Sequence, residues 1–209
     1  MKRFILLTIA ALMLLPSMAE AKRRESEEEI ALKTRHYSGW EWGATGRVAL
    51  IFYEQDYMHI KGQPAVAAYK TQVKVGGNIM VGGGYFLNNH WRIGFETGAQ
   101  IQYNYTFMPL YLTGHYFYGT RKNALFNFVH AGTNILFNKG LRFGATCAGG
   151  VGVRLQSPDS ELKYDIMLGY DFNTLSPRPV LKEPCGYKKH EDKRHALNQS
   201  VFIGLGISF

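Results

Sequence analysis

Hydrophobic and polar residues alternate with a period of two along most of the chain after residue 40. In Thr71–Leu87 the odd positions are mostly apolar, for example Val73, Val75 and Ile79, and the even positions are mostly polar or glycine. Trp91–Asn104 repeats this division. A period of two predicts β-strands that have one apolar and one polar face. The pattern therefore predicts a protein built from strands.

The strand-like segments are eight in number. They cover residues 40–52, 71–87, 91–104, 108–119, 125–138, 141–156, 162–172 and 201–209. The fourth and fifth alternate less cleanly than the others. An even number of antiparallel strands is typical of single-chain bacterial membrane barrels.

The connections between these segments differ in length between the two ends of such a barrel, although the outer connections near Tyr105 and at 138–140 are short, which departs from the usual pattern. Short connections are expected at 88–90, 121–123 and 157–160, and long ones at 53–70 and 173–197. Short turns are typical of the periplasmic end and long loops of the outer end. The pattern predicts an all-β fold: an eight-stranded antiparallel transmembrane β-barrel with long extracellular loops.

Alternation alone leaves open which face points outward, because a soluble barrel would turn its apolar face inward. The predicted polar face is rich in glycine, which weakens a water-facing strand but leaves room in a narrow lumen. Aromatic residues also lie near the strand ends, where interfacial girdles are expected. These are Trp42, Phe52, Tyr85, Trp91, Tyr103, Phe143, Phe172 and Phe209. Both features favour an apolar face that meets lipid.

The first 21 residues have the parts of a secretory signal peptide. Lys2 and Arg3 precede the apolar run Phe4–Leu15, and Ala19 and Ala21 supply the small residues of a cleavage site. The expected location is the cell outer membrane, reached by export through the periplasm. The expected division of the chain is a signal peptide at 1–21, a charged periplasmic leader at 22–39 and an outer-membrane β-barrel at 40–209.

The formal net charge of the chain is +8. An exported protein does not routinely meet nucleic acid, so lipid phosphate is the expected anionic partner. Cys147 and Cys185 are the two cysteines. They are interpreted as free thiols, and a disulfide in the oxidising periplasm is the alternative.

Ionisable residues on the predicted inner face suggest how the lumen is filled. Eight strands enclose a space that side chains just fill. Buried charges must pair there, because an unpaired one costs several kcal/mol. The inward candidates are Arg47, Lys74, Arg92, Arg142, Arg154 and Lys163, opposite Glu41, Glu96, Asp165 and Asp171. They predict a salt-bridged plug, and a narrow channel is the alternative.

Residues with catalytic chemistry are present without a recognisable signature. The candidates are His115, His130, Ser200, Glu96 and Asp171. Nothing in their spacing ties a nucleophile to a base, and a lone histidine in a strand is more often structural. We therefore predict no catalytic, cofactor-binding or metal-binding residue. An outer-leaflet lipid-modifying enzyme is the alternative.

The last long loop is strongly basic. The predicted binding residues are Lys182, Lys188, Lys189, Lys193 and Arg194. The first long loop adds His59, Lys61 and Lys70, and barrel closure should bring the two loops together. Such a patch suits the phosphates of lipopolysaccharide or an acidic glycan. A solvated loop without a ligand is the alternative.

The C-terminal strand carries a family resemblance. It alternates large apolar and small residues and ends on an aromatic one, with Val201, Ile203, Leu205, Ile207 and Phe209 on one face. This strand resembles the assembly signal of outer-membrane barrels. Residues 40–209 resemble the small OmpX/OmpA-type barrel family, in the form common in Bacteroidota. The resemblance implies insertion by the barrel-assembly machinery, contact with outer-membrane lipid and a monomeric state.

Overall fold

The computed structural model describes residues 34–35, 37–59, 66–70, 73–102, 105–137, 142–156, 161–176 and 193–209. All of them belong to one compact unit that begins at Lys33. The predicted signal peptide and most of the predicted leader lie outside the described residues, so that division of the chain stays a prediction. No helix in the described ranges is long and apolar enough to cross a membrane.

Nine antiparallel strands make up the described part of the chain. They are β1 Gly39–His59, β2 Val66–Lys70, β3 Lys74–Phe86, β4 Trp91–Gln102, β5 Tyr105–Phe117, β6 Ala124–Leu136, β7 Arg142–Gln156, β8 Lys163–Leu175 and β9 Lys193–Ser208. Strand β1 pairs with β3, each strand from β3 onward pairs with the next, and β9 pairs back to β1. The result is the predicted closed barrel of eight strands, β1 and β3 to β9, with β2 as an addition.

The barrel has two different ends. We call the end with Gly39 and Ser208 the terminal end, and the end with His59 and Lys193 the loop end. At the loop end β1 continues to pair with both β2 and β9 after a bulge at Phe52. Residues 53–59, 66–70, 173–175 and 193–197 are therefore strand, where the sequence pattern had predicted loop. Backbone pairing between neighbouring strands extends them past the point where their apolar alternation stops.

The faces of the strands are arranged as predicted, with the apolar side outward. Val48, Ile79 and Leu112 are 61%, 71% and 74% exposed, whereas Arg47 and Met80 on the opposite faces are buried. A water-soluble protein rarely exposes a continuous apolar surface of this kind. Barrels that span a lipid bilayer have an outward apolar band of this kind.

Aromatic side chains border the outward band at both ends. At the terminal end the rings of Trp40 and Trp42 stack with centroids 6.0 Å apart. At the other border Phe52 packs on Tyr170 at 6.1 Å. The predicted girdle residues lie on outward positions, except that Tyr103 is outside the described residues.

The lumen contains more aromatic side chains than the sequence pattern indicated. Phe117, Phe126 and Phe128 on β5 and β6 are at most 1% exposed and face inward. They pack with Phe86 and Phe202 in one hydrophobic cluster. The alternation of β5 and β6 is unclear because both of their faces are apolar. The lumen therefore contains an aromatic cluster beside its polar side chains.

Glycines opposite these rings provide the space that they occupy. A Cβ atom added to Gly169 would lie 2.6 Å from the ring of Phe202 and 2.8 Å from the ring of Phe128. Those distances are shorter than van der Waals contact. The glycines of the inner face therefore leave room for large side chains in the narrow lumen, as the sequence pattern predicts.

Replacing Gly169 by alanine is expected to lower the free energy of unfolding by about 1–3 kcal/mol, because overpacking displaces the two rings. Gly46→Ala is the matched control, since a Cβ atom at this outward position meets nothing within 4 Å. Urea unfolding of both variants in lipid would measure the difference. Equal stability of the two variants would contradict the packing role.

Candidate functional site

An ionic cluster fills the lumen near the terminal end. It consists of Glu41, Arg92, Arg154, Lys163 and Asp165. The Nη1 and Nη2 atoms of Arg154 each donate to a different oxygen of Glu41 at 3.0 Å. The Nε and Nη2 atoms of the same guanidinium donate to Asp165 at 2.8 and 2.6 Å. One arginine on β7 thus holds two carboxylates from two other strands, β1 and β8.

Glu41 is shared by three cations. Besides Arg154, it pairs with Arg92 at 3.3 Å and with Lys163 at 3.0 Å. The guanidinium of Arg154 also lies 4.7 Å from the ring centroid of Phe117. Burying charged groups costs hydration free energy. Ion pairing offsets this cost only when most of the donors and acceptors of these groups form hydrogen bonds. The cluster confirms the prediction of a salt-bridged plug.

A second polar group lies further along the lumen. Arg47 pairs with Glu96 at 2.9 Å and donates to Nδ1 of His130 at 3.0 Å. Arg92 donates to Nδ1 of His115 at 3.1 Å. A cavity of about 30 Å³ lies beside Arg92, Glu96 and His115. That volume suits one or two water molecules rather than a passage for solutes.

The segment before β1 crosses the terminal end of the lumen, and we call Thr34, Arg35 and Tyr37 the terminal strap. Arg35 is fully buried and donates to backbone carbonyls of Asn89, Gly119 and Arg121. Its own N–H donates to the carbonyl of Thr120 at 2.6 Å. The strap therefore joins two of the short turns. No periodic signal in the sequence indicates the terminal strap, because it depends on a single arginine that lies outside the strands.

Tyr37 completes the strap on the side of the ionic cluster. Its hydroxyl donates to Gln156 at 2.6 Å, and its ring packs on Phe86 with centroids 4.7 Å apart. Burial raises the pKa of the Tyr37 hydroxyl and lowers the pKa of Arg35 from their ordinary values.

Toward the loop end the lumen changes from charged to amide side chains. An amide layer is formed by Gln100, Gln102, Asn134, Asn173 and Asn198, together with Asp171. Beyond it lies an apolar cap of Phe107, Leu136, Leu175 and Ala196. All members of both groups are buried. Side chains thus fill the lumen at several levels between the strap and the cap.

The candidate catalytic residues do not form a reaction centre. His115 and His130 are buried, and each accepts a hydrogen bond from an arginine rather than from a nucleophile. Ser200 is 1% exposed, and its hydroxyl has no hydrogen-bond partner. In the described ranges, no three His, Cys, Asp or Glu side chains gather as a metal centre.

The structure describes only part of the predicted binding patch. Lys182, Lys188 and Lys189 lie outside the described residues. Lys193 and Arg194 start β9, where their backbones pair with His59 and Met58 of β1. The expected proximity of the two long connections is therefore confirmed for the residues that the strands contain.

Cys147 is a free thiol on the outward face of β7. Its neighbours in the ladder are Ala131 and Phe172, which also face outward. Cys185 lies outside the described residues. The interpretation of Cys147 as a free thiol agrees with the structure.

The closed strand order, the outward apolar band and the filled lumen together define an eight-stranded transmembrane β-barrel. The search of solved structures found similar barrels. They include the N-terminal barrel of Pseudomonas aeruginosa OprF, with 12% identity over 79% of this chain and 97% of that one, at a TM-score of 0.37. Neisserial surface protein A matches with 12% identity over 77% and 96% of the chains, at a TM-score of 0.34.

A third similar structure is the Yersinia pestis attachment invasion locus protein Ail, in complex with the heparin analogue sucrose octasulfate. It has 13% identity over 83% of this chain and all of that one, at a TM-score of 0.36. No protein-family model and no curated protein matches the chain. At such identities and TM-scores, the fold assignment rests on the strand pairing described above.

Proposed function

We propose that this protein is a non-enzymatic barrel of a bacterial outer membrane that presents a basic surface to anionic lipopolysaccharide or glycan. The observation that carries the proposal is the pairing of β1 with β9 beyond the bulge at Phe52, where His59 lies opposite Lys193. Because of this pairing, the end of β1 that leads into the first basic connection lies beside the start of β9, where the last basic connection ends. A rigid support reduces the entropy lost when a charged loop binds a ligand.

The outward face supports the membrane location. Its exposed apolar side chains are bordered by aromatic rings at both ends. With the predicted signal peptide, this surface fits an exported protein surrounded by lipid. Insertion by the barrel-assembly machinery and a monomeric state remain predictions from the C-terminal strand.

The filled lumen favours a binding role over the two alternatives. A channel needs a continuous polar path, whereas the strap, the ionic cluster and the apolar cap lie across the lumen. A lipid-modifying enzyme needs reactive groups that lipid can reach, whereas His115 and His130 are buried in the interior. The surface at the loop end is where a partner has access.

Neutralising the five predicted binding residues is expected to weaken binding to lipopolysaccharide at least tenfold. Each basic side chain near an anionic surface contributes about 1 kcal/mol, and salt screens part of it. Refolded protein in phospholipid nanodiscs would be tested against lipopolysaccharide vesicles at physiological ionic strength. The variant changes Lys182, Lys188, Lys189, Lys193 and Arg194 to glutamine.

Two controls sharpen this experiment. Lys22→Gln, Arg23→Gln and Arg24→Gln remove charge from the predicted leader and should leave binding unchanged. Dephosphorylated lipopolysaccharide should bind both proteins weakly. Binding that survives all five loop substitutions would contradict the proposed function.

A further inference from the structure

Asp171 is a buried carboxylate that forms no ion pair with another described residue. It is 4% exposed. Its Oδ2 atom accepts from Gln100 at 3.3 Å and from Asn173 at 2.6 Å. Its Oδ1 atom is buried and has no hydrogen-bond partner among the residues that the structure describes. Burying an ionised carboxylate without a counter-charge costs several kcal/mol.

This carboxylate determines how the neighbouring amides are oriented. Because an ionised carboxylate only accepts, Gln100 and Asn173 must both present their NH2 groups to it. The Oδ1 atom of Asn173 then accepts from Thr146 at 2.6 Å and from Asn134 at 2.8 Å. The remaining oxygens, Oε1 of Gln100 and Oδ1 of Asn134, are buried without partners. One negative charge thus leaves an excess of acceptor oxygens around it.

Strand β9 adds two more oxygens to the same level of the lumen. Ser200 is the direct ladder partner of Asp171, and Asn198 is the ladder partner of Asn173. Both face inward, and the Oγ of Ser200 and the Oδ1 of Asn198 are buried without partners. Gln100 reaches Asp171 from β4 on the other side of the lumen. Among the described residues, five buried oxygens without hydrogen-bond partners therefore belong to this part of the lumen, whereas Asn78, Thr113 and Ser208 carry others elsewhere along the barrel.

We infer that the amide layer is a binding site for a monovalent cation of the size of Na⁺. Asp171 supplies the charged ligand, and Gln100, Asn134, Asn198 and Ser200 supply neutral oxygens. Hard cations prefer such oxygen ligands, whereas borderline metals prefer imidazole nitrogen and thiolate sulfur, which none of the residues named for this layer supplies. The site adds a bound ion to the interior and is independent of the proposed surface binding.

The charges around the layer favour a single positive charge. A monovalent ion neutralises Asp171, whereas a divalent ion would leave an excess charge near Arg47. The guanidinium of Arg47 lies 5.9 Å from the ring centroid of Tyr111, whose hydroxyl contacts Thr146 at 3.2 Å. Arg47 itself is engaged by Glu96 at 2.9 Å. The charge of Arg47 acts on Asp171 across the lumen, but no ion pair between described residues joins the two.

The apolar cap strengthens the site by excluding water on one side. Leu175 lies two residues beyond Asn173, and Ala196 lies two residues before Asn198. Two residues of a strand span about 7 Å. A low local dielectric strengthens the attraction between a carboxylate and a cation.

The test compares unfolding of the refolded barrel in phospholipid nanodiscs, in NaCl and in choline chloride of equal concentration. Na⁺ is expected to raise the unfolding midpoint of the native protein, because an ion that binds only the folded state stabilises it. Asp171→Asn should abolish this difference. Asn198→Ala retains the carboxylate and should raise the Na⁺ concentration for half of the effect about threefold or more. Ser208→Ala removes a buried hydroxyl outside the layer and should leave the Na⁺ response unchanged.

Three results would overturn the inference. One is an equal midpoint of the native protein in both salts, which would mean that the layer holds water or a protonated Asp171. Another is an undiminished Na⁺ response in Asp171→Asn. The third is a response to CaCl₂ with none to NaCl, which would assign the layer to a divalent ion.

Discussion

Replacing Arg154 by methionine is expected to lower the free energy of unfolding by about 3–5 kcal/mol. Arg154 is 1% exposed and donates four hydrogen bonds to Glu41 and Asp165. Methionine fills similar space but leaves both carboxylates short of a partner inside the lumen. Arg92 and Lys163 still contact Glu41, so the largest loss falls on Asp165.

Arg154→Lys is the matched control, because it keeps the charge and removes the forked geometry. Its loss of stability should lie between the native protein and the methionine variant. Urea titrations in lipid, followed by tryptophan fluorescence, would measure all three proteins. A methionine variant within 1 kcal/mol of the native protein would show that the ionic cluster does not hold the barrel together.

Arginine in place of Leu205 is expected to lower the free energy of unfolding in lipid by about 2–4 kcal/mol. Leu205 is 64% exposed on the outward face of β9. It lies midway between Val201, which pairs with Tyr170 of one aromatic border, and Phe209 at the other end of the strand. A guanidinium there has to reach past several apolar residues to find water.

Gln199→Arg tests the same substitution at the border of the apolar band, where the cost falls to about 0–1 kcal/mol. Gln199 faces outward beside Tyr170, whose hydroxyl donates to it at 2.7 Å. The measurement is unfolding in lipid bilayers of defined thickness. If both arginine variants lost equal stability, the outward band would not be the lipid-facing surface.

Much of the barrel follows from sequence periodicity. The alternation in Trp91–Asn104 predicted both the strand β4 and its inward face, because successive side chains of a strand point to opposite sides. The same reasoning placed Arg92, Arg154 and Glu41 in the lumen, where the structure has them. It was less informative for β5 and β6, whose inward aromatic rings give both faces an apolar character.

The strand ends and the interior partners depended on tertiary structure. Residues 53–59 have no apolar alternation, and they are strand because β2 and β9 lie on either side of β1. The terminal strap likewise exists because Arg35 reaches carbonyls of two turns that are distant in sequence. Contacts of this kind leave no local pattern.

The sequence by itself determined the number of membrane strands, their inward and outward faces and the charged character of the lumen. Each of these depends on which residue types alternate along a strand, and that is a local property. Only the tertiary structure decided that Arg154 holds Glu41 and Asp165, and that Asp171 lies among amides and in no ion pair with another described residue. The physical reason is that barrel closure sets which inward side chains meet, and closure depends on the register of all eight strands together.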